Sequence, residues 1–117
     1  ATIAESIQVG NPVSLGWRAL AALRESKGTA VAVTDSEILE AQFLIGRLAG
    51  VFAEPAAATS VAATKKLRDY GTIGADDVVV CNLTGHGLKQ PEAIEISEKQ
   101  LTPIVPTLDV LRERVGR

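Results

Sequence analysis

The chain has 117 residues, 46% of them hydrophobic and only 3% aromatic, a balance that suits a small α/β core built from Ala, Val, Leu and Ile. Its 12 basic and 14 acidic side chains leave a formal charge of −2, which gives no electrostatic footprint for nucleic acid and no basic tract for an anionic membrane. The single cysteine, Cys81, excludes an internal disulfide, no basic region followed by an apolar core opens the chain, and no apolar run reaches bilayer length, so the expected setting is cytoplasmic.

Ala1 to Val9 place Ile3, Ile7 and Val9 among polar residues, a pattern too short to distinguish a strand from an arm. Gly10-Asn11-Pro12 is a turn signal, and apolar residues at Leu15, Ala19, Ala22 and Leu23 predict a helix over 13–27. Ser14 is its expected cap, Gly28 its expected left-handed terminator, and Trp17 reads as a core anchor rather than a ligand-facing ring.

Thr29 to Val33 is β-branched and predicts a short strand. Thr34-Asp35-Ser36-Glu37 then forms a capping box ahead of a helix whose stripe is Ile38, Ala41, Leu44, Ile45 and Leu48, closed by Gly50. Asp35, Glu37 and Glu40 sit in its first turns, where carboxylates offset the helix dipole; they do not read as an acid/base set.

Val51-Phe52-Ala53 is a brief strand-like step into Glu54-Pro55, which opens a helix to about Tyr70 because proline suits the first helical position. The first half of that helix, Ala56 to Thr64, is small on every side, so another element or a ligand can approach its backbone closely. Lys65, Lys66, Arg68 and Asp69 give its second half a wet face, and Gly71 ends it.

Thr72 to Asp77 is a loop leading into Val78 to Leu83, a nearly continuous apolar run that predicts a strand covered on both faces, as in a parallel α/β sheet. Such sheets bind ligands beyond the carboxyl ends of their strands, where Thr84-Gly85-His86-Gly87-Leu88-Lys89 lies. Glycine at 85 and 87 permits positive φ and a close approach of backbone to ligand. Cys81, inside an apolar run, reads as a buried thiol; His86 reads as a hydrogen-bonding loop residue, and the two soft ligands have no spaced cluster around them for a metal. Beyond Leu88 the prolines at 91, 103 and 106 predict a wrapping tail, about 92–117, ending in a short helix from Thr107 to Val115.

Leu83-Thr84-Gly85-His86-Gly87-Leu88-Lys89 resembles the late signature of the threonine synthase family, pyridoxal-phosphate enzymes that make threonine from O-phosphohomoserine. Gly10-Asn11-Pro12-Val13 ahead of Trp17, and Phe52-Ala53-Glu54-Pro55-Ala56-Ala57-Ala58-Thr59-Ser60, agree with it in order and spacing. The resemblance runs from about Ile7 to about Pro91 and corresponds to the last third or so of a family chain, so residues 1–117 would be a single partial domain. It implies the C-terminal part of a fold-type II enzyme, similar to tryptophan synthase β, with roughly three or four short parallel strands alternating with helices. It also implies pyridoxal 5'-phosphate as cofactor and conversion of O-phospho-L-homoserine and water to L-threonine and phosphate; a partial domain of this kind leaves apolar surface uncovered, so a twofold homodimer is expected.

By the same resemblance Thr84 hydrogen-bonds the cofactor's pyridine nitrogen, Gly85 and Gly87 shape its turn, and His86 and Glu54 are further cofactor-facing candidates. A neutral hydroxyl at that nitrogen, unlike a carboxylate, does not hold it protonated, which suits replacement and elimination chemistry. No catalytic residue is carried over: Lys65, Lys66, Lys89 and Lys99 match none of the family's cofactor-lysine context, and the glycine-rich phosphate cup is missing. After Gly-Leu-Lys the family usually continues with an acidic residue, where this chain has Gln90, which weakens a role for that position. Two readings stand beside this one: a related pyridoxal-phosphate dehydratase of serine or threonine, and a non-catalytic fragment or assembly module.

Overall fold

In the computed structural model, described for residues 1–94 and 104–116, the chain forms four α-helices: α1 (Val13–Ser26), α2 (Asp35–Ala49), α3 (Pro55–Asp69) and α4 (Leu108–Val115). Single 3-10 turns lie at Glu5–Ile7, Gly87–Lys89 and Pro91–Ala93. Lys99, Pro103 and the middle of the expected tail lie outside the described residues.

The packed wedge of α2 and α3 is the centre of the molecule, and its local chemistry explains it. Both arms of the capping box are made: the Glu37 amide donates to Thr34 Oγ1 at 3.2 Å, and the Thr34 amide donates to Glu37 Oε2 at 2.6 Å. That Thr34 amide, followed by the Lys66 ammonium, holds the Glu37 carboxyl down to about 2. Gly50 ends α2 in the left-handed region at φ 65°. Pro55 stands at the first position of α3, where its missing N–H is not needed.

The core is made largely of methyl groups. Ala56, Ala57, Ala58 and Ala62 of α3 meet Ile38, Ala41 and Ile45 of α2, together with Ala4 and Ala53, and Ile3, Val33, Val61 and Leu83 pack around them. Small side chains let the two backbones approach closely, so the space left for each is tight. The buried stripe of α2 is narrower than the periodicity predicts, since Leu44 is half-buried and Leu48 is 71% exposed. The N-terminal stretch is an arm, not a strand: Ala4 is fully buried and the Glu5–Ile7 turn packs on α3.

The expected parallel sheet is not formed among the described residues. Among the described residues the sole β pairing outside helices is one antiparallel bridge, Ala53 with His86. Residues 78–87 nevertheless alternate in exposure, with Val78 at 95% and Val80 at 89% against 43% for Val79, half-covered Cys81, Leu83 and Gly85, and buried Gly87. A period of two marks an extended backbone with one face laid down, here on α3, and the other open. Thr29 to Val33 behaves alike, with Val31 and Val33 half-buried and Thr29, Ala30 and Ala32 exposed. The β-branched residues select extended backbone, but a ladder needs a neighbour whose N–H and C=O groups lie within reach.

Two end regions stay uncovered. Extensive packing between described elements is confined to α2 on α3 and to the Glu5–Ile7 turn on α3. Trp17, read from the sequence as a core anchor, is 72% exposed, because α1 makes no extensive packing with the described elements that form the core. α1 starts at Val13 with Pro12 in the cap position, so Ser14 falls inside the helix, and Lys27 rather than Gly28 takes the left-handed conformation at its end. α4 presents its stripe of Leu108, Leu111 and Val115 to solvent, and Thr107 precedes it without making the side-chain capping bond. The radius of gyration, 18.8 Å, exceeds the roughly 13 Å of a compact domain of about 100 residues. None of the described helices is long and apolar enough to cross a membrane.

Candidate functional site

The residues singled out by sequence converge on the start of α3. The peptide after Phe52 and the turn after Thr84 run side by side, joined by the Glu54 amide donating to the Gly85 carbonyl at 3.0 Å and the Gly87 amide donating to the Phe52 carbonyl at 2.8 Å. These bonds enclose the Ala53–His86 bridge and hold the Thr84 turn against the N-terminus of α3.

Close approach, not unusual dihedral angle, is what requires glycine here. Gly85 and Gly87 are not among the residues with positive φ, which corrects the expectation from the sequence. A Cβ at Gly85 would overlap the Glu54 carboxylate, and one at Gly87 would overlap the Phe52 ring. The turn is therefore pressed onto Glu54 and Phe52 with no room for a methyl group.

Glu54, in the cap position of α3, is only 2% exposed. Its Oε2 accepts from Lys89 Nζ at 2.8 Å and from Ser6 Oγ at 3.1 Å. The Lys89 ammonium, more than the Ser6 hydroxyl, holds the Glu54 carboxyl below the usual carboxylate range, against the opposing pull of burial. Sequence reading set Lys89 among uncommitted lysines; the structure gives it a buried partner. Gln90 is likewise used rather than vestigial, being 8% exposed with Nε2 donating to the Ile3 carbonyl at 2.8 Å.

His86 takes a structural part. Its Nδ1 accepts from the Leu88 amide at 3.1 Å, capping the Gly87–Lys89 turn, and its ring stands edge-on to Phe52 with centroids 5.6 Å apart. Thr84 is exposed, on the open face of the extended segment, and its hydroxyl bonds no other described residue. Cys81 is half-buried rather than buried, with Sγ 3.3 Å from Thr64 Oγ1.

The other described lysines near the core are committed as cations. Lys65 reaches Glu40 at 2.8 Å and Lys66 reaches Glu37 at 3.0 Å, and these carboxylates raise both ammonium groups above their ordinary range. A lysine that forms a Schiff base needs the opposite, a neutral amine favoured by desolvation or a neighbouring cation. Asp35 accepts from the Thr2 hydroxyl, so all three carboxylates at the head of α2 have structural partners.

Comparison with known proteins decides the family. A family model described as pyridoxal-phosphate dependent enzyme matches residues 1–85. The chain belongs to that family. Its members share the fold-type II architecture, and the match ends at the glycine that follows Thr84. Among curated relatives, the threonine synthase of Methanosarcina acetivorans is 47% identical over 114 residues, covering 97% of this chain and 28% of that one. The threonine synthase of Methanocaldococcus jannaschii is 47% identical over 111 residues, covering 95% and 27%, and that of Synechocystis is 44% identical over 118 residues, covering 98% and 30%. The chain thus spans under a third of the length of these relatives and matches the C-terminal portion of a threonine synthase. The likeness also extends beyond the Ile7 to Pro91 limits of the motifs, through nearly all of the chain.

Proposed function

We propose that this chain is the C-terminal part of a threonine synthase, and that the whole protein converts O-phospho-L-homoserine and water to L-threonine and phosphate. The observation that carries the reading is the glycine-pressed turn after Thr84, which presents a hydroxyl on an open face directly beyond an extended segment. Pyridoxal phosphate, when bound to the whole protein, supplies the electron sink for the substrate's carbon chemistry. Thr84 fits the pyridine nitrogen of that group: its hydroxyl donates to a neutral nitrogen without adding the charge that would keep it protonated. Gly85 and Gly87 hold the turn at its height, while His86 fixes the turn beyond it and Glu54 supports it from below.

The extended runs 29–33 and 78–83 are proposed to pair, within the whole protein, as strands of the parallel sheet. The same surroundings would cover the open faces of α1 and α4, and a homodimer is the expected assembly. The Schiff-base lysine and phosphate cup would come from the rest of the whole protein, since Lys65, Lys66 and Lys89 are tied to carboxylates.

The test is a chimera in which this chain replaces the matching 28% of the Methanosarcina acetivorans enzyme. Threonine formation from O-phosphohomoserine is expected in the chimera and not in the isolated chain mixed with cofactor. A borohydride-reducible adduct at one lysine of the isolated chain, with threonine formed, would overturn the division of labour. In the chimera Thr84→Val keeps the shape but leaves a buried acceptor unpaired, at a cost of ~1–3 kcal/mol in cofactor binding. Unchanged cofactor affinity and turnover would remove Thr84 from the site.

A further inference from the structure

Glu54 is a carboxylate buried to the point of 2% exposure, and it is shared by three segments far apart in sequence. Ser6 reaches it from the N-terminal arm, Lys89 from the far end of the Thr84 turn, and its own backbone amide bonds Gly85 from the start of α3. Lys89 Nζ also lies 3.4 Å from Ser6 Oγ, so the three polar groups close on one another. Gln90 adds a second tie between the same turn and the same arm through the Ile3 carbonyl.

A buried charge persists only where it is paired and hydrogen-bonded, so Glu54 constrains where Lys89 can be. Lys89 stands five residues after Thr84, and Gly85 lies pressed on the same carboxylate one residue after it. The turn is consequently pinned to Glu54 at both ends, by absence of a side chain at Gly85 and by an ammonium at Lys89. Thr84, projecting on the open face, has no side-chain bond of its own among the described residues to set its position.

We propose that Glu54 and Lys89 form a positioning pair that holds the Thr84 hydroxyl at the height its cofactor partner requires, and that neither touches the cofactor itself. This rests on the reading of Thr84 above. It revises Glu54 from a cofactor-facing candidate to a support, with its charge consumed by Lys89 and Ser6. It also gives a function to Lys89 that motif reading did not supply.

The test uses the full-length protein that carries this chain, with two measurements: the dissociation constant for pyridoxal phosphate, and hydrogen exchange in peptides covering residues 52–54 and 84–90. Lys89→Met is expected to raise the dissociation constant at least tenfold and to speed exchange in both peptides, while peptides from α2 keep their protection. Glu54→Gln combined with Lys89→Met removes the orphaned charge and is expected to recover folding stability while leaving the constant raised at least fivefold, because the tie to the turn stays broken; return to the parent constant would overturn the pair as a positioning device. In a Thr84→Val background, Lys89→Met is expected to weaken cofactor binding by less than twofold further, because the pair acts through Thr84. Equal effects of Lys89→Met in the two backgrounds would overturn the proposal, as would unchanged exchange in both peptides. If Lys89→Met does not fold, Lys89→Gln and the charge-free double variant carry the same comparison. Failure of the parent protein to make threonine would defeat the functional reading alone, since the exchange measurement reports on the pair regardless.

Discussion

The α2–α3 wedge and the extended segment 78–83 are both rich in apolar side chains, yet the first fully buries a stripe of them and the second fully buries none. Ile38 is 2% exposed and Val80 is 89% exposed. The difference lies in where the partner is. α2 and α3 are joined by five residues and find each other at small entropic cost, whereas an extended segment satisfies its second face and its backbone only through a neighbour brought from elsewhere. Apolar content alone therefore does not forecast burial; the sequence distance to a partner does.

The largest effects are expected inside the wedge. Ile38→Ala removes the largest fully buried aliphatic side chain from a core otherwise made mainly of methyl groups, and should cost about 2–5 kcal/mol. Chemical denaturation followed by far-UV circular dichroism measures it. A loss below about 1 kcal/mol would show that the wedge is not the stabilising unit and would erase the contrast with the open segment.

A smaller effect sharpens the same comparison through pH. The folded-state carboxyl of Glu37 lies at about 2, below its ordinary 4.5, because the Thr34 amide and then Lys66 favour the charged form. For a carboxyl depressed on folding, the stabilisation is fully present above the ordinary value and is lost as pH falls through the folded one. The wedge should thus lose this contribution between about pH 4.5 and pH 2, and Glu37→Gln should flatten that limb of the stability curve. An unaltered acid limb in the variant would mean that the capping box does not discriminate between the protonation states. Thr34→Ala, which removes only the other arm of the box, should cost about 0.5–2 kcal/mol at neutral pH.

What could be seen in advance follows the same division. The capping box at Thr34, Pro55 at the start of α3 and the left-handed glycine at 50 were legible because each acts within a few residues of itself. Thr84 and its two glycines were visible as a motif, although their reason proved to be contact with Glu54 and Phe52 rather than positive φ. The Lys89–Glu54 pair was not legible: the two are 35 positions apart, and nothing local distinguishes that lysine from one at the surface. Trp17 was misjudged for a related reason, since a helix stripe shows which face wants cover and not whether cover is within reach. The ladder is not legible in these runs because a β-branched run specifies extended backbone, while ladder bonds belong to the pair of strands.

The smallest effect is the most discriminating. Val80→Thr keeps a β-branched shape and adds a hydroxyl to a side chain that is 89% exposed, so in a monomer of the isolated chain it should change stability by no more than about 0.5 kcal/mol. If the open face is covered, the same hydroxyl is buried without a partner and the cost rises to ~1–3 kcal/mol. Trp17, Val78, Val80 and Leu108 are all more than half exposed, and apolar surface left in water favours association that covers it. Self-association is therefore expected, with twofold pairing as the commonest closed arrangement. Sedimentation equilibrium over a wide concentration range should show mass above the 12.3 kDa of one chain, and Val80→Thr should shift that equilibrium toward the monomer if the paired faces include the segment 78–83. A clean 12.3 kDa species at high concentration, with Val80→Thr neutral, would establish that the open face is stable in water and would leave the wedge as a self-sufficient unit.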